Sequence, residues 1–270
     1  MRYPDDKGGL AERILGALRA AGKDVDHLTT SDLIALDEIH IKGRAATREL
    51  AQTAGFAPEA HVLDIGSGVG GPARTLASEF GVTVTGIEIS DDCCRAARAL
   101  NDRTGLSERI TIVQGDATDL PFDDGSFDGV VMLHSGMNIA NKRRLLTEIR
   151  RVLRDDGTAA LYEVLAGPVG NPHFPVIWAD DSNGNHLLRP DRMREMIAES
   201  GFEVQTWTDV TGEARTWYGA LVAKFDGGFR PAVSMEAVIG PDFLDRGRNV
   251  FRNLQEHRIE VVQAVLRAKA

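Results

Sequence analysis

The sequence is poor in the features that mark secreted, membrane and nucleic-acid-binding proteins. Its 270 residues include two cysteines, Cys93 and Cys94, and a disulfide between neighbours would be strained, so a disulfide framework is excluded. Lysine and arginine number 31 against 40 acids, and a net charge of -9 argues against nucleic acid or an anionic membrane as a partner. No apolar run approaches a membrane span, and the opening MRYPDDKGG lacks a signal-peptide core. We therefore expect a soluble, reduced, cytoplasmic protein.

The first fifth of the sequence has the apolar spacing of helices. This spacing predicts helices over 10–22, 30–41 and 45–55, the second of them after a capping signal at Thr30 or Ser31. From residue 61 onward, strand patterns such as HVLDIG and VTVTGIEI alternate with helical ones such as NKRRLLTEIRRVLRDDG. That alternation predicts a parallel sheet covered by helices on both faces.

We expect two domains, a helical cap over 1–55 and a sheet domain over 56–270. The sheet domain carries insertions at about 166–190 and 212–257, where the strand–helix rhythm breaks. The last segment, IEVVQAVL, fits a helix or a strand, and its β-branched residues favour a strand.

A glycine-rich turn follows the first strand. Gly66, Gly68 and Gly71 fit the pattern G-x-G-x-x-G, and the acid Glu88 ends the next strand. Such glycines let the backbone approach a nucleotide-like ligand, and the acid accepts two ribose hydroxyls. On this pattern alone, a nicotinamide-dinucleotide oxidoreductase is an alternative.

Two further acids indicate which nucleotide-like ligand the turn would bind. Asp64, directly before the turn, would repel a pyrophosphate and attract an ammonium group. Asp116, after the third strand, can accept a hydrogen bond from an adenine amine, and no second nucleotide-binding half follows. A cofactor with adenine, a ribose diol, an ammonium and no phosphate is S-adenosylmethionine.

These stretches resemble the class I S-adenosylmethionine-dependent methyltransferases. VLDIGSGVGG is similar to the family's first motif, GIEIS to its second, GDATDLPFDDGSFD to its third and EIRRVLRDDGTAALYEV to its later helix–strand pair. HSGMNIANKRR and HFPVIWA are similar to the small-molecule branch that holds sarcosine/dimethylglycine and tocopherol/ubiquinone methyltransferases. RDDGT departs from the family's Lys-Pro-Gly-Gly at what we expect to be a turn. The resemblance implies an α/β, Rossmann-like fold whose seven-stranded sheet has an antiparallel last strand.

The resemblance also implies which residues bind the cofactor. Asp64 would hold the methionine ammonium, and Glu88 would accept from the ribose diol. The remaining residues would pass under the ribose, face the adenine or line the site near the sulfonium; they are Gly66, Ser67, Gly68, Ile89, Asp116, Ala117, Leu133 and His134.

Candidate catalytic residues lie where the fourth and fifth strands end, because ligands bind at the carboxyl edge of such sheets. They are His134, Tyr162 and Glu163. Glu163 would act as a base or bind the substrate, because a buried acid is costly unless it is paired or used. Alternatively, it would only form a salt bridge to an arginine. Candidate acceptor contacts come from the following turn and the two insertions, and they are Met137, Asn138, Phe174, Trp178, His186, Trp217 and Tyr218. The stripe of Trp217, Leu221 and Phe225 would alternatively suit a homo-oligomer contact.

The loop WADDSNGNHLLRP is rich in hard ligands. Asp180, Asp181, Asn185 and His186 would together suit Mg²⁺ and a diphosphate, and a solvated loop without a metal is the other interpretation. We expect no resident metal, since no fixed ligand spacing is present.

We predict a small-molecule methyltransferase that uses S-adenosylmethionine and releases S-adenosylhomocysteine, with an amine as the methyl acceptor. The alternative within the class is C-methylation of an alkene or activated carbon such as a prenyl diphosphate, with Glu163 as the base and Mg²⁺ on the loop at 180–186.

Overall fold

The computed structural model describes residues 9–269. Its seven-stranded sheet has the order β3-β2-β1-β4-β5-β7-β6. The strands are β1 (His61–Ile65), β2 (Thr83–Glu88), β3 (Ile110–Gln114), β4 (Phe127–Leu133), β5 (Leu153–Ala166), β6 (Phe202–Asp209) and β7 (Ile259–Ala268). The helices are α1 (Gly9–Ala20), α2 (Thr30–Leu33), α3 (Arg44–Ala54), α4 (Gly71–Phe80), α5 (Asp91–Arg103), α6 (Lys142–Val152), α7 (Pro190–Glu199), α8 (Thr211–Asp226), α9 (Glu236–Ile239) and α10 (Phe243–Gln255).

The sheet is parallel except at its last strand. Strands β1 to β5 pair in parallel, whereas β7 lies antiparallel between β5 and β6. This confirms the predicted α/β, Rossmann-like fold, and IEVVQAVL is a strand as predicted. The strand order reverses between β1 and β4, and ligands bind at such a switch point, beyond the carboxyl ends of the strands.

Helices bury apolar stripes on both faces of the sheet. On one face, α6 contributes the fully buried Leu145, Leu146 and Ile149. On the other face, Leu50 of α3 and Leu254 of α10 belong to the same buried cluster as β1, β4 and β5 side chains. Cys93 and Cys94 are also buried. The sheet is therefore held rigidly between two apolar layers, which fixes the positions of its strand ends.

The helix predicted over 30–41 is wrong in length. Helix α2 ends at Leu33, and it begins after Thr29 rather than after Thr30 or Ser31. Thr29 and Asp32 form a reciprocal cap, in which Asp32 N donates to Thr29 Oγ1 at 3.3 Å and Thr29 N donates to Asp32 Oδ2 at 2.9 Å. The helices predicted over 10–22 and 45–55 are confirmed as α1 and α3.

Buried ion pairs explain why the chain leaves the helix after α2. The carboxylate of Asp37 lies 3.1 Å from Nη2 of Arg74, and Glu38 lies 3.1 Å from Nε of Arg44. All four side chains are buried, and a buried charge without its partner would cost several kcal/mol. These tertiary pairs therefore override the local helical pattern and hold residues 37 and 38 against α4.

The turn predicted at RDDG is also wrong. Helix α6 ends at Val152, and β5 begins at Leu153 and includes these residues. The pairing of β5 with β4 shifts between Phe127 and Gly129, so the extra residues form an irregularity at the start of the strand.

Two long segments lie beside the carboxyl edge of the sheet. The first joins β5 to α7, and the second comprises α8, α9 and α10 between β6 and β7. Both contribute side chains to cavities at this edge of the sheet. Within residues 9–269, no helix is long and apolar enough to cross a bilayer.

Candidate active site

A cavity of about 260 Å³ opens where β1, β2 and β4 end. Its walls come from six parts of the chain: the segment before α3, the glycine turn, the turns after β2, β3 and β4, and the β5–α7 segment. We call it the first cavity.

The glycine turn forms the base of the first cavity. Gly66 has a φ of 71°, and a Cβ atom there would lie 2.3 Å from Oγ of Ser135, so only glycine fits. The N–H groups of Gly66 and Ser67 donate to the carbonyl of Ile87 at 2.8 and 3.1 Å. The turn is thus fixed to the end of β2, close enough to β4 for one ligand to touch both strand ends.

Glu88 at the end of β2 braces the turn from the other side. Its Oε2 accepts from Gly68 N at 3.1 Å and its Oε1 accepts from Ser90 N at 2.9 Å. A carboxylate has about four acceptor sites, so the capacity to accept from two ribose hydroxyls remains.

Asp64 lies behind the turn and is 1% exposed. Within the described chain its Oδ2 has no hydrogen-bond partner, and neither has Oγ of the nearby Ser67. Burial raises the pKa of Asp64 to about 7, and the negative charges of Glu88 and Glu38 add to that rise. A positively charged group in the first cavity would favour the carboxylate form, so the site suits a ligand with an ammonium.

Three rings meet beside the first cavity, and two of them, His40 and His134, line it. His134 stacks on Tyr162 at 4.6 Å between centroids, and the His40 ring lies 5.9 Å from each of them, edge to face. Burial and the neighbouring His40 lower the pKa of His134 well below its usual value, and burial raises the pKa of Tyr162. His134 and Tyr162 are therefore neutral at pH 7.

The polar atoms of these rings differ in their partners. Nε2 of His134 and the hydroxyl of Tyr162 are buried, and neither has a hydrogen-bond partner among residues 9–269. Nε2 of His40, in contrast, lies 3.1 Å from Thr47 Oγ1 and 3.3 Å from the carboxylate of Glu38. His134 and Tyr162 thus have hydrogen-bonding capacity to spare, whereas His40 is held in place.

Residues 63–161 match the model of a methyltransferase domain family. Together with the ammonium-compatible Asp64 and the ribose-compatible Glu88, this match decides the assignment. The chain is a class I S-adenosylmethionine-dependent methyltransferase. Its cofactor is S-adenosylmethionine, and the alternative of a nicotinamide-dependent oxidoreductase is not supported.

Curated relatives include methyltransferases of several acceptor types. The chain is 39% identical over 116 residues to the sterol 24-C-methyltransferase ERG6B of Gibberella zeae, covering 43% of this chain and 30% of the relative. It is 29% identical over 200 residues to the O-methyltransferase resE of Aspergillus sclerotiorum, covering 74% and 73%. It is 28% identical over 195 residues to the sarcosine/dimethylglycine N-methyltransferase of Halorhodospira halochloris, covering 71% and 68%. The chain thus spans less than a third of the sterol enzyme and about 70% of the other two.

Solved structures share the fold. Phosphoethanolamine N-methyltransferase 2 of Haemonchus contortus, in complex with S-adenosylmethionine, superimposes with a TM-score of 0.72 at 18% identity, over 90% of this chain and 58% of that one. Geranyl diphosphate C-methyltransferase of Streptomyces coelicolor, in complex with Mg²⁺, geranyl diphosphate and S-adenosylhomocysteine, superimposes with a TM-score of 0.68 at 17% identity, over 83% and 78%. At identities of 18% and 17%, these similarities show a shared fold and do not identify the methyl acceptor.

The methyltransferase brings nearly all the predicted cofactor residues together. Of that set, all but Asp64 line the first cavity, and Asp64 lies behind the turn. Met137, Asn138 and Trp178, predicted as acceptor contacts, also line it. The lining residues that the sequence did not indicate are Asp37, Ile39, Val69, Pro72, Ile87, Ser90, Gly115, Ser135, Ile139 and Ile177. Asp37 and Ile39 lie within residues 30–41, which periodicity had assigned to a helix.

Glu163 is buried beneath the turn that carries His134. Its Oε1 accepts from the N–H groups of Ser135 and Gly136 at 3.1 and 3.2 Å. Burial raises its pKa, which these two N–H groups and the nearby Lys142 counteract in part. Glu163 is not among the residues that line the first cavity, and its predicted role as a base remains a prediction.

The other predicted acceptor contacts lie apart from the first cavity. Trp217 and Tyr218 line a second cavity of about 560 Å³, bounded by α8 to α10 and by residues 34–48. Phe174 packs against the core, and the backbone N–H of His186 donates to the carbonyl of Met137 at 2.9 Å.

Structural partners occupy the polar groups of the loop at 180–186. Asp180 pairs with Arg246. Asp181 accepts from Asn183 N at 2.8 Å, and Asn185 Oδ1 accepts from Nε1 of Trp178 at 2.9 Å. Across the part of the chain that the structure describes, no group of three or more His, Cys, Asp or Glu side chains could hold a metal ion. The alternative Mg²⁺ ligand set is therefore not assembled.

Proposed function

We propose that this methyltransferase methylates a hydroxyl oxygen of a small neutral acceptor, at the point where the His40, His134 and Tyr162 rings meet. The observation that supports this most is His134 itself. It lines the first cavity, it is neutral, and its buried Nε2 has no hydrogen-bond partner within residues 9–269. A neutral imidazole with an available lone pair can accept the proton that a hydroxyl loses on methylation.

Bound S-adenosylmethionine supplies a methyl group that its sulfonium charge has already activated. The chain contributes alignment, which can lower a barrier by about 7–11 kcal/mol, and a wall of buried side chains that excludes water. Methyl transfer to the acceptor oxygen would make the hydroxyl proton strongly acidic, so the imidazole of His134 would accept it even though its pKa is lowered. Stacking on Tyr162 fixes the ring that receives it.

N-methylation of an amine is the second candidate. It is favoured by the 28% identity to sarcosine/dimethylglycine N-methyltransferase and by Trp178 in the cavity wall, whose face can attract an ammonium by about 0.5–2 kcal/mol. C-methylation has the sterol enzyme as a relative, but its proposed base, Glu163, already accepts two backbone hydrogen bonds.

The test is an acceptor screen with products identified by mass, using scaffolds that carry a hydroxyl, an amine or an alkene at the same position. We expect O-methyl products, and His134→Asn to lower kcat on the alcohol by about 10²–10⁴-fold with little change in cofactor affinity. Asn is chosen because His134 has a φ of 49°, a conformation that Asn tolerates. Tyr162→Phe is the matched control, because it keeps the ring but removes the hydroxyl. Methylation of the amine alone, or full activity of His134→Asn, would contradict the proposal.

A further inference from the structure

We infer that the second cavity is the acceptor site and that it takes an uncharged, hydrophobic small molecule much larger than a glycine derivative. This inference rests on the proposed function, since it names the class of acceptor whose hydroxyl would reach His134.

The second cavity adjoins the first. Ile39, His40 and Ile177 line both cavities. The His40 ring also touches the rings of His134 and Tyr162, so the shared wall is the place where the methyl group would be transferred. A molecule seated in the second cavity would therefore have one end at the wall that borders the first cavity.

The lining of the second cavity is largely apolar. Trp217, Leu221 and Val222 on α8 and Phe243 and Leu244 on α10 belong to it. A volume of about 560 Å³ lies in the range of drug-sized ligand sites, and a glycine derivative would leave most of it unfilled. Covering the half-buried apolar side chains would stabilise a complex by about 25 cal/mol for each Å² removed from water.

Each acidic or basic side chain in the lining already has a partner of opposite charge. Arg44 pairs with Glu38, Lys42 with Glu49 and Glu213, Arg48 with Glu79, and Arg248 with Asp226 and Asp245. A diphosphate or carboxylate would have to displace one of these partners, whereas an uncharged molecule would not. The pairing therefore selects against charged acceptors.

The entrance to the second cavity carries exposed apolar residues. Ile34 is 50% exposed and Phe229 is 52% exposed, and both belong to the cavity lining. Large exposed apolar side chains at the edge of a cavity are typical of a binding site for an apolar ligand.

A neutral fluorescent probe, N-phenyl-1-naphthylamine, tests the site in the full chain with S-adenosylhomocysteine bound. We expect saturable binding that Leu221→Trp weakens at least tenfold, because the indole would fill the cavity. Ala223→Trp, on the exposed side of the same helix, is the matched control and should leave probe binding unchanged. Titration calorimetry with S-adenosylhomocysteine should give the same affinity for all three proteins, which also shows that each is folded.

Competition then defines the class of ligand. Neutral hydrophobic alcohols should displace the probe, whereas sarcosine and the phosphate esters of the same alcohols should not. Failure of the probe to bind, equal binding by Leu221→Trp, or stronger displacement by the phosphate esters would overturn the inference. Methyl transfer to a small polar alcohol without probe binding would overturn the inference and leave the proposed function standing. Probe binding together with methylation at nitrogen alone would leave this inference standing and overturn the proposed function.

Discussion

The two cavities differ in the polarity of the groups that line them. The first is lined by strand ends, the glycine turn and polar side chains such as Ser67, with the buried carboxylate of Asp64 behind the turn. The second is made of apolar side chains whose neighbouring charges are already paired. One region is therefore prepared for a polar, positively charged ligand, and the other for an uncharged apolar one. A methyltransferase with this division can keep its cofactor site while the acceptor site changes.

The largest expected effect is on the first cavity and comes from Gly66→Ala. The added methyl would meet Ser135 at 2.3 Å, and the φ of 71° adds strain of about 1–3 kcal/mol. We expect cofactor affinity to fall at least roughly 10- to 100-fold, measured by calorimetry. Gly81→Ala is the control, because Gly81 has the same φ of 71° but no atom within 4 Å of the added methyl. If both variants lose the same affinity, backbone strain alone explains the loss and the close approach to Ser135 is unimportant.

The second prediction separates two roles for Glu163. If it positions the turn that carries His134, Glu163→Gln keeps an acceptor for Ser135 N and Gly136 N and should retain kcat within a few-fold. Glu163→Leu leaves both N–H groups unpaired, at about 1–3 kcal/mol each, and should lower both the melting temperature and cofactor affinity. Steady-state kinetics and thermal melts measure these effects. A loss of about 10²–10⁴-fold in kcat for Glu163→Gln, with its melting temperature unchanged, would instead indicate a base.

The third prediction concerns pH. Burial, with Glu88 and Glu38 nearby, raises the pKa of Asp64 to about 7, so the cofactor-free protein holds a proton there below pH 7. Because the ammonium of the cofactor favours the carboxylate, binding must release that proton. Affinity should therefore fall, by at most about tenfold per pH unit, as the pH decreases from 7 to 5.5. Asp64→Asn should bind more weakly at pH 7.5 and show a flatter profile; an unchanged slope would assign the dependence to another group.

The raised pKa of Asp64 also affects the stability of the cofactor-free fold, which should fall with rising pH, whereas cofactor affinity should rise. A carboxyl whose pKa is higher in the folded state than in the unfolded state stabilises the fold at low pH and loses that contribution as the pH rises to about 7. The cofactor-free wild type should therefore lose stability relative to Asp64→Asn between about pH 4 and pH 7. Thermal melts across that range provide the measurement.

The sequence predicted the first cavity far better than the second. The glycine turn, Glu88 and Asp116 lie within a few residues of strand ends, and a parallel sheet brings strand ends together whatever the side chains around them. The second cavity forms where residues 34–48 meet α8 to α10, about 200 positions apart in the chain. Ile39 and His40 were assigned to a helix because periodicity does not register buried pairs such as Asp37–Arg74. Local patterns therefore found the residues fixed by the sheet, and in the second cavity they found Trp217 and Tyr218 but not residues 34–48.

The smallest expected effect tests how the second cavity is held together. Lys42 Nζ lies 2.7 Å from Glu49 on α3 and 2.7 Å from Glu213 on α8, so it bridges the two sides of the cavity. Both acids are well exposed, and such ion pairs contribute only about 0–1 kcal/mol each and are screened by salt. We expect Lys42→Met to weaken binding of N-phenyl-1-naphthylamine by about two- to fivefold at low salt and to leave S-adenosylhomocysteine affinity unchanged.

The salt dependence decides whether the bridge acts on the acceptor side alone. In 1 M salt the Debye length falls to about 3 Å, so the difference in probe affinity between wild type and Lys42→Met should disappear. Arg192→Met on α7 is the control, because it also removes exposed ion pairs, to Glu195 at 2.8 Å and Glu199 at 3.6 Å, on a helix that does not line the second cavity. A loss of S-adenosylhomocysteine affinity in Lys42→Met would mean that the two cavities are mechanically coupled, and the division between them would then be wrong. If wild type and Lys42→Met bind the probe equally in 1 M salt and bind S-adenosylhomocysteine equally at any salt concentration, the bridge affects the second cavity alone. The first cavity would then be held by buried pairs such as Asp37–Arg74, and the apolar lining of the second could change independently of it.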